Sequence, residues 1–242
     1  MNGKRGKYNP SQKTSEALEA ISQDRTRTNL LKVHEQRLLA FLVQRIPNWM
    51  TPDMLTFIGL GGNMIVLASF VLATYVNRTY LLMGALGFAI SWFGDSLDGR
   101  IAYYRNKPKK LYGFTLDITV DWIGIILIGC GYIIYAQGVW EFLGYGFVVM
   151  YGWEMIVALM RHRITGNYSI DSGKLGPTEA RIIIIALMVA ELLFKGSIRF
   201  FALAIVILVF ICNIIDTRQL LQIAEEKDMQ EAAWKKDRER KD

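Results

Sequence analysis

Only two cysteines occur in the 242 residues, and Cys130 and Cys212 both fall inside apolar stretches. That excludes a disulfide framework and makes each a small buried hydrophobe rather than half of a redox or metal pair. The first fifty residues also lack a short apolar core followed by small residues, so no cleavable leader is expected. Basic residues are scarce on one set of connections. Of the 28 lysines and arginines, only Arg78, Lys195 and Arg199 lie on one side of the apolar spans described next.

What the chain has is length and apolarity in blocks. It is 52% hydrophobic, yet its formal charge of +6 is gathered into short segments between apolar runs, a pattern foreign to soluble domains. Spanning helices are expected at 52–76, 79–104, 111–136, 139–160, 178–194 and 197–215, giving an all-α integral membrane protein with six transmembrane helices. An even number of spans puts both termini on one side. Because lysine and arginine gather on the cytoplasmic side, the termini are expected there. The positive charge follows membrane topology, so nucleic-acid binding is not expected.

Residues 1–27 are polar, without apolar periodicity, and read as a disordered N-terminus. Over 28–46, Leu31, Leu38, Leu42 and Ile46 recur at helical spacing, which predicts an amphipathic helix at the membrane interface or packed on the bundle. Pro47 ends it. Thr51 before Pro52 is a helix N-cap followed by proline at the first helical position. Gly59, Gly61 and Gly62 then suit a close helix approach. The domain plan is therefore 1–27, the interfacial helix 28–46, a membrane domain over 51–216 and a charged cytoplasmic tail over 217–242.

Carboxylates are costly beside lipid, and here four lie at the end of two apolar spans. Asp95 and Asp98 are three apart and Asp117 and Asp121 four apart, so each pair occupies one helix face. The two helices meet at a basic turn containing Arg100, Arg105, Lys107, Lys109 and Lys110, which suits phosphate. Oxygen ligands of this kind select Mg²⁺ or Mn²⁺, and four carboxylates suffice for two ions. Gly99 and Gly113 beside them leave room for a flat group or a diphosphate to reach the backbone. A cation transporter would also place acids in membrane helices, but its path needs polar groups through the whole bilayer. An inactive scaffold gives no reason for four acids at these spacings.

The stretch DSLDGRIAYYRNKPKKLYGFTLDITVD, from Asp95 to Asp121, resembles the signature of the CDP-alcohol phosphotransferase family, DxxDGxxAR(x)8G(x)3D(x)3D. The segment TPDMLTFIGL, from Thr51 to Leu60, is similar to the start of that family's first span. The resemblance implies that Asp95, Asp98, Asp117 and Asp121 bind two divalent ions and that Gly99, Ala102 and Gly113 line the cytidine and diphosphate pocket. Asp121 would be the general base that takes the proton from the attacking hydroxyl, with CMP expelled from a CDP-linked donor. A homodimer in a plasma membrane of bacterial inner-membrane type is implied as well. Tyr103 stands where the family usually has arginine, and one extra residue separates it from Gly113. Arg100 or Arg105 could supply the missing donor contact.

Two donors are compatible with the resemblance. CDP-diacylglycerol can give a phosphatidyl group to a polar alcohol, or a CDP-amino alcohol such as CDP-choline or CDP-ethanolamine can give its phosphoalcohol to a lipid hydroxyl. The basic residues Arg161, Arg163, Lys174 and Arg181 suit a phosphorylated acceptor and favour CDP-diacylglycerol. Trp153-Glu154, Thr165-Gly166 and Gly176-Pro177-Thr178-Glu179 resemble the choline and ethanolamine enzymes instead.

Overall fold

The computed structural model describes residues 32–166 and 177–239. Among them there is no strand. Seven α-helices follow in order: α1 (Lys32–Val43), α2 (Pro52–Tyr75), α3 (Leu81–Tyr104), α4 (Lys110–Ala136), α5 (Glu141–Thr165), α6 (Pro177–Leu193) and α7 (Ser197–Glu239). Single 3₁₀ turns, Arg78–Tyr80 and Gly138–Trp140, link α2 to α3 and α4 to α5.

Local chemistry sets the boundaries. Thr51 Oγ1 accepts a hydrogen bond from Met54 N at 3.2 Å, and Pro52 begins α2 without needing a donor. Asn77 Oδ1 accepts from Thr79 N at 2.9 Å and turns the chain toward α3. The α3–α4 turn uses Asn106 at φ 53°, a left-handed position that asparagine tolerates better than most residues. Gly166, at φ 77°, ends α5 by donating its N–H to His162 O at 2.8 Å.

Among the described residues, five helical segments are long and apolar enough to cross a membrane: Pro52–Tyr75, Arg78–Tyr104, Lys110–Ala136, Gly138–Thr165 and Ser197–Glu239. The expected sixth, α6, has 17 residues. At 1.5 Å per residue it covers about 25 Å, somewhat less than the ~30 Å hydrocarbon core of a bilayer. Five such spans therefore stand where six were expected. Over the described residues of the expected tail, α7 continues as helix to Glu239.

The helices form a closed ring in the order α2, α3, α6, α7, α5, α4, each packed on the next and α4 returning to α2. Consecutive α3 and α4 hardly meet along their backbones, because α2 packs against both. A cleft thus opens between α3 and α4 with α2 as its back wall. The apolar centre, built from Val66, Phe70, Leu81, Phe88, Tyr132, Met188 and Ile198, fills the ring toward the end away from the carboxylates.

Glycine makes the α2–α3 approach possible. A methyl group on Gly62 would lie 2.4 Å from Ser91 N, and one on Gly94 would lie 2.4 Å from Gly59 N. The small residues expected to bring helices together do so at Gly59 and Gly62, whereas Gly61 has nothing within 4 Å of its added Cβ.

Helix α1 docks on α2 and α3 through a different face from the one expected. Leu39, Ala40 and Val43 are buried, with Leu39 and Val43 packed on Leu55, Leu97 and Ile101. Leu38, placed on the apolar stripe by its spacing, is 47% exposed, while Leu42 and Ile46 are half-buried against the same cluster. The helix ends at Val43 rather than at Ile46. Contact with the bundle, rather than the one-dimensional period, decides which apolar residues face inward. The disordered segment expected over 1–27 lies outside the described residues.

Gly62→Val and Gly94→Val are expected to force α2 from α3 and abolish a cooperative thermal transition of the detergent-purified protein. Gly61→Ala should leave the midpoint unchanged or raise it, since a helical glycine costs about 0.5–1 kcal/mol relative to alanine.

Candidate active site

The carboxylates sit at the end of the cleft between α3 and α4. Asp95 comes from α3, and Asp117 and Asp121 come from adjacent turns of α4. Carboxylate oxygens from these three all lie within 4.8 Å of one another. Asp98, one turn beyond Asp95, has donors of its own. Thr56 Oγ1, on α2, donates to Asp98 Oδ2 at 2.7 Å, and Gly99 N donates to Asp98 Oδ1. With 8% of its surface exposed, Asp98 depends on these two bonds for its solvation.

Arg181 reaches the group from α6. Its Nη1 lies 2.7 Å from Asp95 Oδ2, an ion pair that ties the far side of the ring to the cleft. Among the described residues, one guanidinium faces three clustered carboxylates, a net negative charge in a poorly solvated place. A divalent cation matches that deficit, and the donor set is all oxygen, as hard cations require. The residues therefore fit Mg²⁺ or Mn²⁺.

Space is available directly in front. Gly99 on α3 and Gly113 on α4 both have nothing within 4 Å of an added Cβ. Ala102, a turn beyond Gly99, is half-buried on the same helix. Across the mouth, Tyr112 donates its hydroxyl proton to Asp53 Oδ2 at 3.2 Å, joining α4 to the start of α2.

The arginines of the basic turn engage the protein. Arg105 donates to Met50 O at 2.6 Å and Pro47 O at 2.9 Å, bracing the α1–α2 connection. Arg100 donates to Ser96 O and lies 3.9 Å from Glu35 of α1. Lys110 Nζ instead stands 6.0 Å from the ring centre of Tyr103, the residue at the unusual signature position.

The expected acceptor residues are not gathered together. Arg181 touches the carboxylates, at Asp95. Arg161 pairs with Asp216 at 3.5 Å in the α5–α7 seam, Arg163 is exposed near the end of α5, and Lys174 lies outside the described residues. The His162 ring lies tilted against that of Phe114, with centres 5.4 Å apart. Sequence reading missed Thr56. Its position on the fifth residue after the α2 N-cap is a weak signal, since only the packing of α2 on α3 reveals that its hydroxyl meets Asp98.

An all-helical bundle with membrane-length spans and a carboxylate cleft at one end defines a class of integral membrane protein with a polar site at the end of its bundle. A family model described as CDP-alcohol phosphatidyltransferase matches residues 49–215. This chain belongs to that family. Comparison with individually curated proteins gives no match.

Thr56→Val should lower the thermal midpoint in detergent, because loss of a hydrogen bond to a buried charged group costs about 1–3 kcal/mol. Thr56→Ser keeps the hydroxyl and should restore most of the loss.

Proposed function

We propose that this protein transfers a phosphatidyl group from CDP-diacylglycerol to the hydroxyl of a polar alcohol and releases CMP, in phospholipid synthesis. The observation that carries the reading is the convergence of Asp95, Asp117 and Asp121 beside two glycines that leave the cleft open. Asp95, Asp98, Asp117 and Asp121 would hold two Mg²⁺ or Mn²⁺ ions, which supply charge neutralisation for the diphosphate and the leaving group. Gly99, Ala102 and Gly113 give the nucleotide end access to the backbone. Arg100 and Arg105 keep the surrounding wall in place and add positive potential near the donor.

Asp121 takes the proton from the acceptor hydroxyl. The freed oxygen attacks the β-phosphorus, the bond to the CMP oxygen breaks, and CMP leaves with the electron pair. Arg181 beside Asp95 is placed to orient a phosphorylated or otherwise anionic acceptor, with Arg161, Arg163 and Lys174 as outlying positive charges. A cavity of about 330 Å³ supports a lipid substrate: Leu38, Phe88, Trp92, Ile182 and Ile185 line it, and Arg181 stands on its wall. Acyl chains would lie there while the headgroup reaches the carboxylates.

In this reading α6 is the sixth span, α1 lies at the membrane interface, and the termini and active site face the cytoplasm. Positive charge at the carboxylate end supports that orientation. Assembly as a homodimer rests on the family relationship. A second reading, a CDP-choline or CDP-ethanolamine type of transfer to a lipid hydroxyl, is kept for one reason. Arg161 is paired with Asp216, which weakens the case for a basic acceptor pocket.

The test is CMP release by purified protein in liposomes, with either donor and a panel of alcohols. Alcohol-dependent release from CDP-diacylglycerol is expected, abolished by chelation and restored by Mg²⁺ or Mn²⁺. Release only from a CDP-amino alcohol with diacylglycerol would establish the second reading. Asp121→Asn should reduce turnover by roughly 10²–10⁴-fold, the usual contribution of a positioned base. Asp98→Asn should also abolish transfer, and wild-type turnover in either variant would sink the assigned roles.

A further inference from the structure

Asn63 lies in the seam between α2 and α4 with only 8% of its surface exposed, and its Oδ1 is buried without a hydrogen-bond partner among the described residues. Amides in apolar surroundings are rarely left so. The surrounding sequence accommodates this amide at a cost in packing. A Cβ on Gly124 would come within 2.2 Å of Asn63 Nδ2, so α4 carries glycine where the asparagine presses against it.

Helical register places this amide beneath the carboxylates. On α4, Asp117, Asp121 and Gly124 follow one another at intervals of four and three residues, and so share a face. On α2, Thr56, Gly59 and Asn63 do the same. The first donates to Asp98, and an added Cβ on the second would lie 3.3 Å from Asp95 N. Asn63 is the next polar position on that stripe, opposite the turn of α4 that follows Asp121. An acceptor oxygen below a group of acceptor carboxylates gains nothing from them directly. What satisfies both is a donor between them, and water polarised by a cation is such a donor.

We propose that Asn63 is a positioning residue for the cation site: its Oδ1 accepts a hydrogen bond from a water molecule ordered by a divalent ion on Asp95, Asp117 and Asp121. This rests on the cation site of the proposed transfer reaction and adds a residue outside the signature to it. Partners at this remove fix the orientation of ligands and waters, and their loss weakens metal binding by about 10–100-fold. Gly124 is the companion feature, since it makes the space in which the amide stands.

The experiment measures Mn²⁺ binding to the full-length protein in detergent, by the electron paramagnetic resonance signal of free Mn²⁺, beside the metal dependence of CMP release. Asn63→Leu, similar in volume but without an acceptor, is expected to bind Mn²⁺ at least about tenfold more weakly. Its CMP release should need correspondingly more metal, while the KM for donor at saturating metal stays near the wild-type value. Asn63→Asp keeps shape and oxygen and should bind at least as tightly as wild type. If the leucine variant does not fold, Asn63→Ser, whose oxygen falls short, carries the same expectation. A folded leucine or serine variant with wild-type Mn²⁺ affinity overturns the role of Asn63, whatever its turnover. Wild-type protein that binds Mn²⁺ yet releases no CMP from either donor overturns the transfer reaction and leaves this assignment standing. Wild-type protein that binds no Mn²⁺ overturns both.

Discussion

The structure depends on how closely α2 can approach α3. With Gly59 and Gly62 on one helix and Gly87 and Gly94 on the other, backbone meets backbone, and a Cβ added at Gly62, Gly87 or Gly94 would be driven into main-chain atoms. Between membrane helices the hydrophobic effect offers little, so close van der Waals packing at small residues provides much of the attraction. That seam fixes the height of α2 against α3 and sets Thr56 level with Asp98 and Gly59 level with Asp95. Because α2 also packs on α4, it holds α3 and α4 apart and creates the cleft.

Electrostatics explains why the cleft needs the rest of the ring. Three carboxylates drawn within 4.8 Å repel one another in a medium that screens poorly. Arg181 offsets part of that repulsion from α6, and Thr56 with Gly99 N solvates the fourth acid, Asp98. The remaining charge is what a divalent cation would offset in the proposed reaction. Stability and function thus pull in opposite directions at the same residues, a common property of sites preorganised to bind charge.

Helix α1 and the α1–α2 turn complete the wall. Arg105 collects carbonyls of the α1–α2 connection, and Glu35 of α1 lies beside Arg100 of α3. The signature segment is therefore braced by a part of the chain that precedes the membrane domain. At the opposite end of the bundle, buried Glu191 accepts from Tyr135 at 2.9 Å and from the N–H groups of Gly196 and Ile198. This satisfies the start of α7 and anchors α6, which also presents Arg181 to the carboxylates.

Sequence by itself determined the all-helical class, the places of the main apolar spans and the acidic character of the cleft. Apolar length and the i, i+3 and i, i+4 spacing of the acids are properties of a single helix, readable one segment at a time. The signature also identified the family before any helix was placed against another. Tertiary structure alone decided that Asp95 joins Asp117 and Asp121 while Asp98 turns to Thr56, and that Arg181 meets the acids while Arg161 does not. It also decided that α1 buries Leu39 rather than Leu38, and that Asn63 is enclosed at Gly124. Each of these depends on which helix faces which, and at what height, and that is set by steric fit between surfaces far apart in the chain rather than by the periodicity of either one.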